Sequence, residues 1–437
     1  MTPDNGDFSR LRPPVNVNLL RRRCRETGCD RDPWVAAALN FLMSNPNDPQ
    51  MLEVVREALA ACELQDTVSP DPFRATNPVS LENLRGTIGL GFIPPFGVPW
   101  MITPEMLMTH LLLTGRSGGG KTTIILLILI QLLKLGFRIK IFDRKLDYAA
   151  LVAFDNFVYW QLDHFFTNWL APPPGISFRT WINQFFEIFG NYEDIRVATR
   201  GLLAEKTLWI YDRMRKAGSK RYPTLKDVYH VIAELNYPRI SNMARHQETI
   251  MNRMDGLFAV FGDHICSHRQ LDWKAYLEAD WAISLNGIPS DFQNLFITVE
   301  IAKIYQYRVT HNLRSRSLAD LIVFDEASTM FKKFYEVREG TYVLTDLLAK
   351  SREWGIGFVI GTQTLSGLAD SVMANTAIKI MVGGAGLRED YDAFAGATGM
   401  TLLQKEFLKR LTIPGQACAR DPRYPYPFTL EVPNVVK

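Results

Sequence analysis

Nine residues, Gly115-Arg116-Ser117-Gly118-Gly119-Gly120-Lys121-Thr122-Thr123, are of the types that bind phosphate and stand in the order that task requires. A glycine, four residues and then Gly-Lys-Thr is the spacing of a P-loop. The glycines let backbone N–H groups curl around phosphate oxygens, and a helix that starts at the lysine points its positive end at them. Lys121 brings a point charge to the outer phosphates, and the Thr122 hydroxyl suits Mg²⁺. The competing reading, a glycine-rich turn between two core elements, leaves the lysine and threonine without a purpose. The motif predicts a nucleoside triphosphate site, with ATP and Mg²⁺ as its cofactors.

A second set of residues fits the same chemistry. Leu321-Ile322-Val323-Phe324 is an apolar run that ends in Asp325-Glu326. In a doubly wound sheet the chemistry lies at the C-terminal strand ends. Asp325 is then placed to hold Mg²⁺ through water and Glu326 to activate the attacking water. Downstream, Ser351 to Gln363 reads as helix end, strand and polar tip. Gln363 is expected to face the γ-phosphate. Arg352 starts that strand at the opposite sheet edge, which suits an arginine supplied to a neighbouring subunit's ATP. A surface arginine capping the preceding helix is the equal alternative.

These residues need a scaffold. Leu111–Leu113 precedes the P-loop and Ile124–Ile130 follows it, so a buried strand turns there into a buried helix. A strand over Arg138–Phe142, ending in Asp143, completes a βαβ unit with Gly136 as the helix stop. Further strands are expected at Trp281–Leu285, Leu321–Phe324, Gly357–Gly361 and Ala377–Val382. Their apolar runs are continuous, as in a parallel sheet covered on both faces. The stretch between the P-loop and Asp325 exceeds what strand–helix alternation needs, so a helical insertion is placed at about 176–270. Residues 1–14 read as disordered and Val15–Cys62 as helical, and the proline-containing Thr67–Pro78 reads as a linker. The division is a small helical N-terminal module with its linker (1–80) and an α/β ATPase domain (81–437).

The 437 residues are 47% hydrophobic and 22% charged, ordinary values for a soluble globular chain. A net charge of +3 leaves nucleic-acid contact to local patches. Candidates are Arg213–Arg221, Arg308 with Arg314 and Arg316, and Arg21–Arg23 with Arg25; a solvated helix face competes for each. Five cysteines fit a reducing cytosol, and Cys24 and Cys29 read as free thiols. His264 and His268 are four apart, as on one helix face, with no metal role expected. The membrane-like stretch Ile124–Leu133, with Gln131 near its end, is about half of the ~20 residues that span a bilayer. A soluble, cytoplasmic protein is expected.

These blocks resemble the HerA/FtsK superfamily of ring ATPases. The matching pieces are His110–Gly115, the P-loop, Ile141-Phe-Asp143-Arg-Lys-Leu-Asp147-Tyr148, Phe324–Ala327, Ser351–Gly357 and Thr362-Gln363. Leu411-Thr-Ile-Pro-Gly415 and Tyr426-Pro-Phe-Thr-Leu resemble the family's last strands. The resemblance runs over roughly residues 86–437. It implies a RecA-like P-loop NTPase core and a homohexamer with DNA in its pore. It also implies roles for Lys121 and Thr122 on phosphate and metal, Asp325 and Glu326 on metal and water, Gln363 as sensor, and Arg352 in trans. The helical N-terminal module departs from the small β-barrel of HerA helicases, and the lack of membrane helices departs from secretion coupling proteins. A HerA-type translocase working with a separate nuclease or effector partner is the leading expectation. A cytosolic ATPase of type IV secretion or DNA transfer, and a nucleotide-gated scaffold, are the alternatives.

Overall fold

The computed structural model describes residues 16–27, 29–31, 33–65, 71–73, 84–94, 97–269, 271–333 and 343–434. Residues 1–14 and most of the expected linker lie outside the described residues. The chain begins with helices α1 (Val17–Thr27), α2 (Pro33–Ser44) and α3 (Pro49–Gln65), then strands β1 (Ile88–Ile93), β2 (Val98–Ile102) and β3 (Leu111–Thr114). Next come α4 (Lys121–Lys134), β4 (Arg138–Asp143) and β5 (Phe157–Gln161). Four helices follow: α5 (Phe178–Tyr192), α6 (Val197–Lys216), α7 (Leu225–Ala233) and α8 (Asn242–Phe261). After them come α9 (Trp273–Glu278), β6 (Asp280–Ser284), α10 (Ser290–Thr310), β7 (Ser315–Phe324), α11 (Val343–Lys350) and β8 (Trp354–Thr362). The chain closes with α12 (Asp370–Asn375), β9 (Ile378–Val382), α13 (Arg388–Thr398), α14 (Leu402–Leu408), β10 (Gln416–Arg420) and β11 (Phe428–Glu431). The described residues fall into two units. One holds residues up to 131, 361–366 and 376 onward; the other holds 132–360 and 367–375.

In the first unit the strand order is β2-β1-β11-β10-β9-β3. β3 and β9 are parallel, as continuous apolar runs predict, but β9, β10, β11, β1 and β2 pair antiparallel. For the β1–β2 and β10–β11 pairs the cause is connection length: a parallel crossover takes a dozen or more residues, and these links are shorter. A buried polar lock holds this end. Trp100 Nε1 donates to Asp421 Oδ2 at 2.7 Å, and Arg423 bridges Asp421 to the carbonyls of Arg85 and Met101 at 2.6 Å each. Helices α1–α3 bury Leu20, Cys24, Leu39, Leu42, Leu52 and Leu59 in a core of their own. Proline at the start of α3 fits the helix first turn, where no N–H is needed.

The second unit contains β8-β7-β4-β6-β5, all parallel. At the start of β4 and the middle of β7, Asp320 accepts from Lys140 Nζ at 2.8 Å and Arg308 Nη1 at 2.9 Å, all three buried. Arg308 therefore cannot reach nucleic acid. Its guanidinium is used up on Asp320 and on the Trp354 carbonyl, a partner that sequence spacing does not reveal. Helices α5, α7 and α8 start where side chains cap them: Ser177 accepts from Thr180 N, Thr224 and Asp227 form a capping box, and Ser241 accepts from Ala244 N. Their apolar faces bury Trp181, Phe185, Phe189, Met254 and Phe261. His264 and His268 do not share a helix face, because α8 stops at Phe261 with Gly262 at φ 53°. The backbone there instead bridges Asn168 to Cys266.

Candidate functional site

The phosphate-binding motif spans the end of β3 and the start of α4. His110 and the apolar β3 lead in, and α4 begins at Lys121 as the motif predicts. Gly115, Gly118 and Gly120 have φ of 156°, 73° and 112°. The last two lie where a Cβ is strained. Crowding makes the glycines necessary as well. A Cβ on Gly115 would lie 2.0 Å from the Val382 carbonyl oxygen, and one on Gly119 would lie 2.7 Å from it. Arg116, Ser117 and Gly118 form the exposed rim, whereas Thr122 and Thr123 are half-buried.

Lys121 is buried at 8% exposure, and its Nζ donates to the carbonyls of Gly115 at 2.7 Å and Arg116 at 3.0 Å. The ammonium is thus turned into its own loop. The back wall consists of residues that sequence reading did not assign to the site. Arg116 N donates to Gly384 O at 2.8 Å, Arg116 Nη2 donates to Thr412 O at 2.6 Å, and Gly415 N donates to Gly119 O at 3.2 Å. A Cβ on Gly383 would sit 2.4 Å from the Cα of Gly119. The signal for this wall was the glycine pair at the end of an apolar strand and the Pro414-Gly415 turn. Gln363 belongs to this unit, half-buried just after β8. The turn that follows is held by Asp390, which accepts from Leu365 N and Ser366 N at 2.7 and 2.9 Å.

The carboxylates lie in the second unit. Parallel pairing of Phe142 with Phe324 makes the ends of β4 and β7 neighbours, so Asp143 and Asp325 follow on adjacent strands. Asp143 is fully buried and accepts from Tyr148 N at 3.0 Å and Tyr159 Oη at 2.8 Å. Asp325 accepts from Tyr148 Oη at 3.3 Å and from Glu326 N at 2.9 Å. Burial and the charges of Asp325 and Asp143 raise the Tyr148 phenol well above its ordinary value, so it remains a donor.

Glu326 has φ 58°, a left-handed conformation that is uncommon outside glycine and costs about 1–2 kcal/mol. Lys145 Nζ holds its Oε1 at 2.6 Å. That hydrogen bond is the largest cause of the raised Lys145 value. Arg144 donates to Asn294 Oδ1 at 2.6 Å and Thr329 Oγ1 at 2.9 Å. Burial lowers its value to about 10, against the pull of Tyr192, Glu326 and Asp325, so it stays cationic at neutral pH. The sequence marks Asp143–Tyr148 only through the family resemblance, which assigns it no role. Arg352 is exposed in the short turn Ser351–Glu353 before β8, apart from this cluster's hydrogen bonds. Each unit thus brings together one part of the expected site: Gly115 to Thr123 in the first, Asp325 and Glu326 in the second.

Residues 90–254 match the family described as helicase HerA, central domain. The fold matches VirB4 of Thermoanaerobacter pseudethanolicus with a TM-score of 0.59 at 13% identity, over 79% of this chain and 96% of that one. It matches the bacterial conjugative coupling protein TrwB, lacking its N-terminal 70 residues, with a TM-score of 0.59 at 12% identity, over 82% and 92%. TrwB in complex with an ATP analogue matches at 0.58 and 13% identity, over 82% and 93%. No curated protein sequence shows significant similarity. The resemblance to the HerA/FtsK superfamily holds, and the fold is that of the RecA-like P-loop ATPases. Among the described residues no helix is long and apolar enough to cross a membrane.

Proposed function

We propose that the chain is an ATPase that converts hydrolysis into movement along DNA, as a HerA-type homohexameric ring in the cytoplasm. The observation that carries this reading is the phosphate loop, which crowding keeps free of side chains at Gly115 and Gly119 while Lys121 stands at its helix start. Gly115 to Thr123 present N–H groups to the triphosphate, and Lys121 leaves the carbonyls of Gly115 and Arg116 for the outer phosphates. The residues suit Mg²⁺ too. The Thr122 hydroxyl and the Asp325 carboxylate are hard oxygen donors, and the ion would neutralise phosphate charge there. Glu326 takes the proton of the attacking water, Gln363 orients that water, and Arg352 serves a neighbour's ATP.

Ring assembly is supported by exposed apolar residues in the first unit: Leu387, Leu402, Leu403 and Ile413 are 49–75% exposed. TrwB has been solved with ADP and Mg²⁺, which supports the same cofactors here. A second reading, an ATPase of type IV secretion or DNA transfer, is supported by the fold shared with VirB4 and TrwB. The test is the ATPase rate with and without duplex DNA, beside sedimentation with nucleotide. Strong stimulation by DNA of a hexamer supports the motor. Stimulation only by a partner protein would replace it with a nucleotide-gated scaffold that recruits a nuclease or another effector.

A further inference from the structure

The second unit contains a pocket of about 220 Å³ between the segments 167–174, 221–222, 267–269 and 271–273. Its lining includes Arg221, Arg269 and Lys303, with His268, and among the described residues no carboxylate. Lys303 is 1% exposed, and its Nζ is fixed by Thr167 Oγ1 at 2.9 Å, Glu300 Oε1 at 3.2 Å and Asn168 O at 3.3 Å. Glu300 balances that charge from behind, so Arg221 and Arg269 set the sign of the mouth. Both arginines are exposed, and the Arg269 guanidinium lies 6.0 Å over the Phe166 ring.

Two aromatic side chains, Tyr222 and Trp273, line the pocket. Tyr222 is stacked with Tyr211 and Phe178, and the Arg215 guanidinium lies 5.0 Å over it. Trp273 is stacked on Tyr307, interplanar angle 2°, and Tyr307 on His311. Side chains stacked this way have already lost their rotamer freedom, so a planar ligand costs little further ordering. Leading away from Arg221, residues 213–221 hold five basic side chains and no acidic one. Arg213 caps the half-exposed Trp209 at 4.6 Å.

Cations without carboxylates suit phosphate, and fixed aromatic faces beside them suit a base. The volume is below the ~300–1,000 Å³ typical of clefts for drug-sized ligands, which is too small for a whole nucleoside triphosphate. We propose that this pocket seats one nucleotide of a single-stranded nucleic acid, whose neighbouring phosphates run along residues 213–221. The proposal rests on the reading of the chain as a DNA-dependent ATPase and names a contact for that DNA.

The test measures anisotropy of a labelled oligodeoxythymidylate of about 20 nucleotides over a salt series, with the full chain and R221Q/R269Q. The double variant is expected to bind at least tenfold more weakly. Its log–log salt slope should be shallower by about 0.7 for each lost phosphate contact. W273L, with the slope retained, should weaken the oligonucleotide but leave an abasic strand unchanged. Basal ATP turnover should be the same in all three proteins, which also reports that they fold. Wild-type binding that both variants retain in full would overturn the pocket and leave the motor reading standing. If the wild type bound no strand, DNA duplex or single, both would fall. Displacement of the strand by millimolar inorganic phosphate or a phosphoserine peptide as readily as by thymidylate would overturn the nucleotide assignment in favour of a plain anion site.

Discussion

The phosphate loop and the carboxylate cluster are built on opposite principles. Around Gly115–Lys121 the working groups are backbone, and what matters is what is missing: Gly115, Gly119 and Gly383 leave gaps that one methyl group would close. Around Asp325 and Glu326 the working groups are side chains, each restrained by another, Tyr148 on Asp325 and Lys145 on Glu326. The first construction fails on addition of an atom and the second on loss of a partner. Substitutions should therefore separate the two regions by which kinetic quantity they move.

The largest effect is expected at Glu326. Replacing it by glutamine keeps the size and removes the proposed base, so turnover should fall by about 10²–10⁴-fold while ATP affinity stays within a few-fold. Lys121→Ala should show the reverse order: filter binding of ATP should become hard to detect, with the thermal midpoint of the free protein little changed. If both variants lost affinity equally, the division of labour between loop and cluster would be wrong.

Gly119→Ala sharpens the steric side of the comparison. Its Cβ meets the Val382 carbonyl at 2.7 Å and cannot be accommodated by a side-chain turn. A loss of about 1–3 kcal/mol in urea unfolding is expected, as for other overpacking changes, with weaker ATP binding. An unchanged midpoint would mean that the loop yields freely.

Charge pairing at the far end of the second unit's strands offers a stability control remote from chemistry. Asp320→Ala would strand the buried Lys140 ammonium and Arg308 guanidinium, at a cost of about 3–5 kcal/mol. Burial alone would raise the Asp320 carboxyl, but Lys140, Arg308 and Arg138 outweigh it and hold the value below the ordinary one. The stabilisation is therefore complete above the unfolded-state value near 3.9 and is lost as pH falls through the lower folded value. Wild-type thermal midpoints should drop on acidification below about pH 4, and Asp320→Asn should lack that part of the drop.

The smallest effect belongs to Lys145. Its Nζ is half exposed, so the pair with Glu326 is worth about 0–1 kcal/mol after screening. Lys145→Met should leave stability within that range. It should also change the turnover rate more than the Michaelis constant, since the lysine touches the residue assigned as base. Equal movement of both constants would make Lys145 a ligand of the nucleotide instead.

What could be read from sequence follows the same contrast. A phosphate loop needs glycines, lysine and threonine at fixed offsets, so Gly115–Thr123 announces itself locally. The run Leu321–Glu326 also announces itself, because an apolar strand that ends in acids is a local pattern. Restraint of Glu326 by Lys145 depends on a strand register across 181 residues, and no local pattern encodes it. Arg308 was misread as available for the same reason, since its partner Asp320 lies on another element. The back wall at Gly383, Gly384 and Gly415 was visible only as glycines whose purpose requires knowing what they face.

That back wall has a consequence for how the protein is made. Arg116 bonds to Thr412, 296 residues later, and Gly119 to Gly415, which in turn accepts from Val432. At synthesis rates of about 5–20 residues per second, the loop leaves the ribosome roughly 15–60 seconds before the segment that backs it. During that interval the nascent chain carries its glycine loop unbraced. A polypeptide released early, short of β10, would retain the complete sequence motif while lacking the wall it folds against. Truncated translation products of this chain should therefore bind nucleotide more weakly than the full chain.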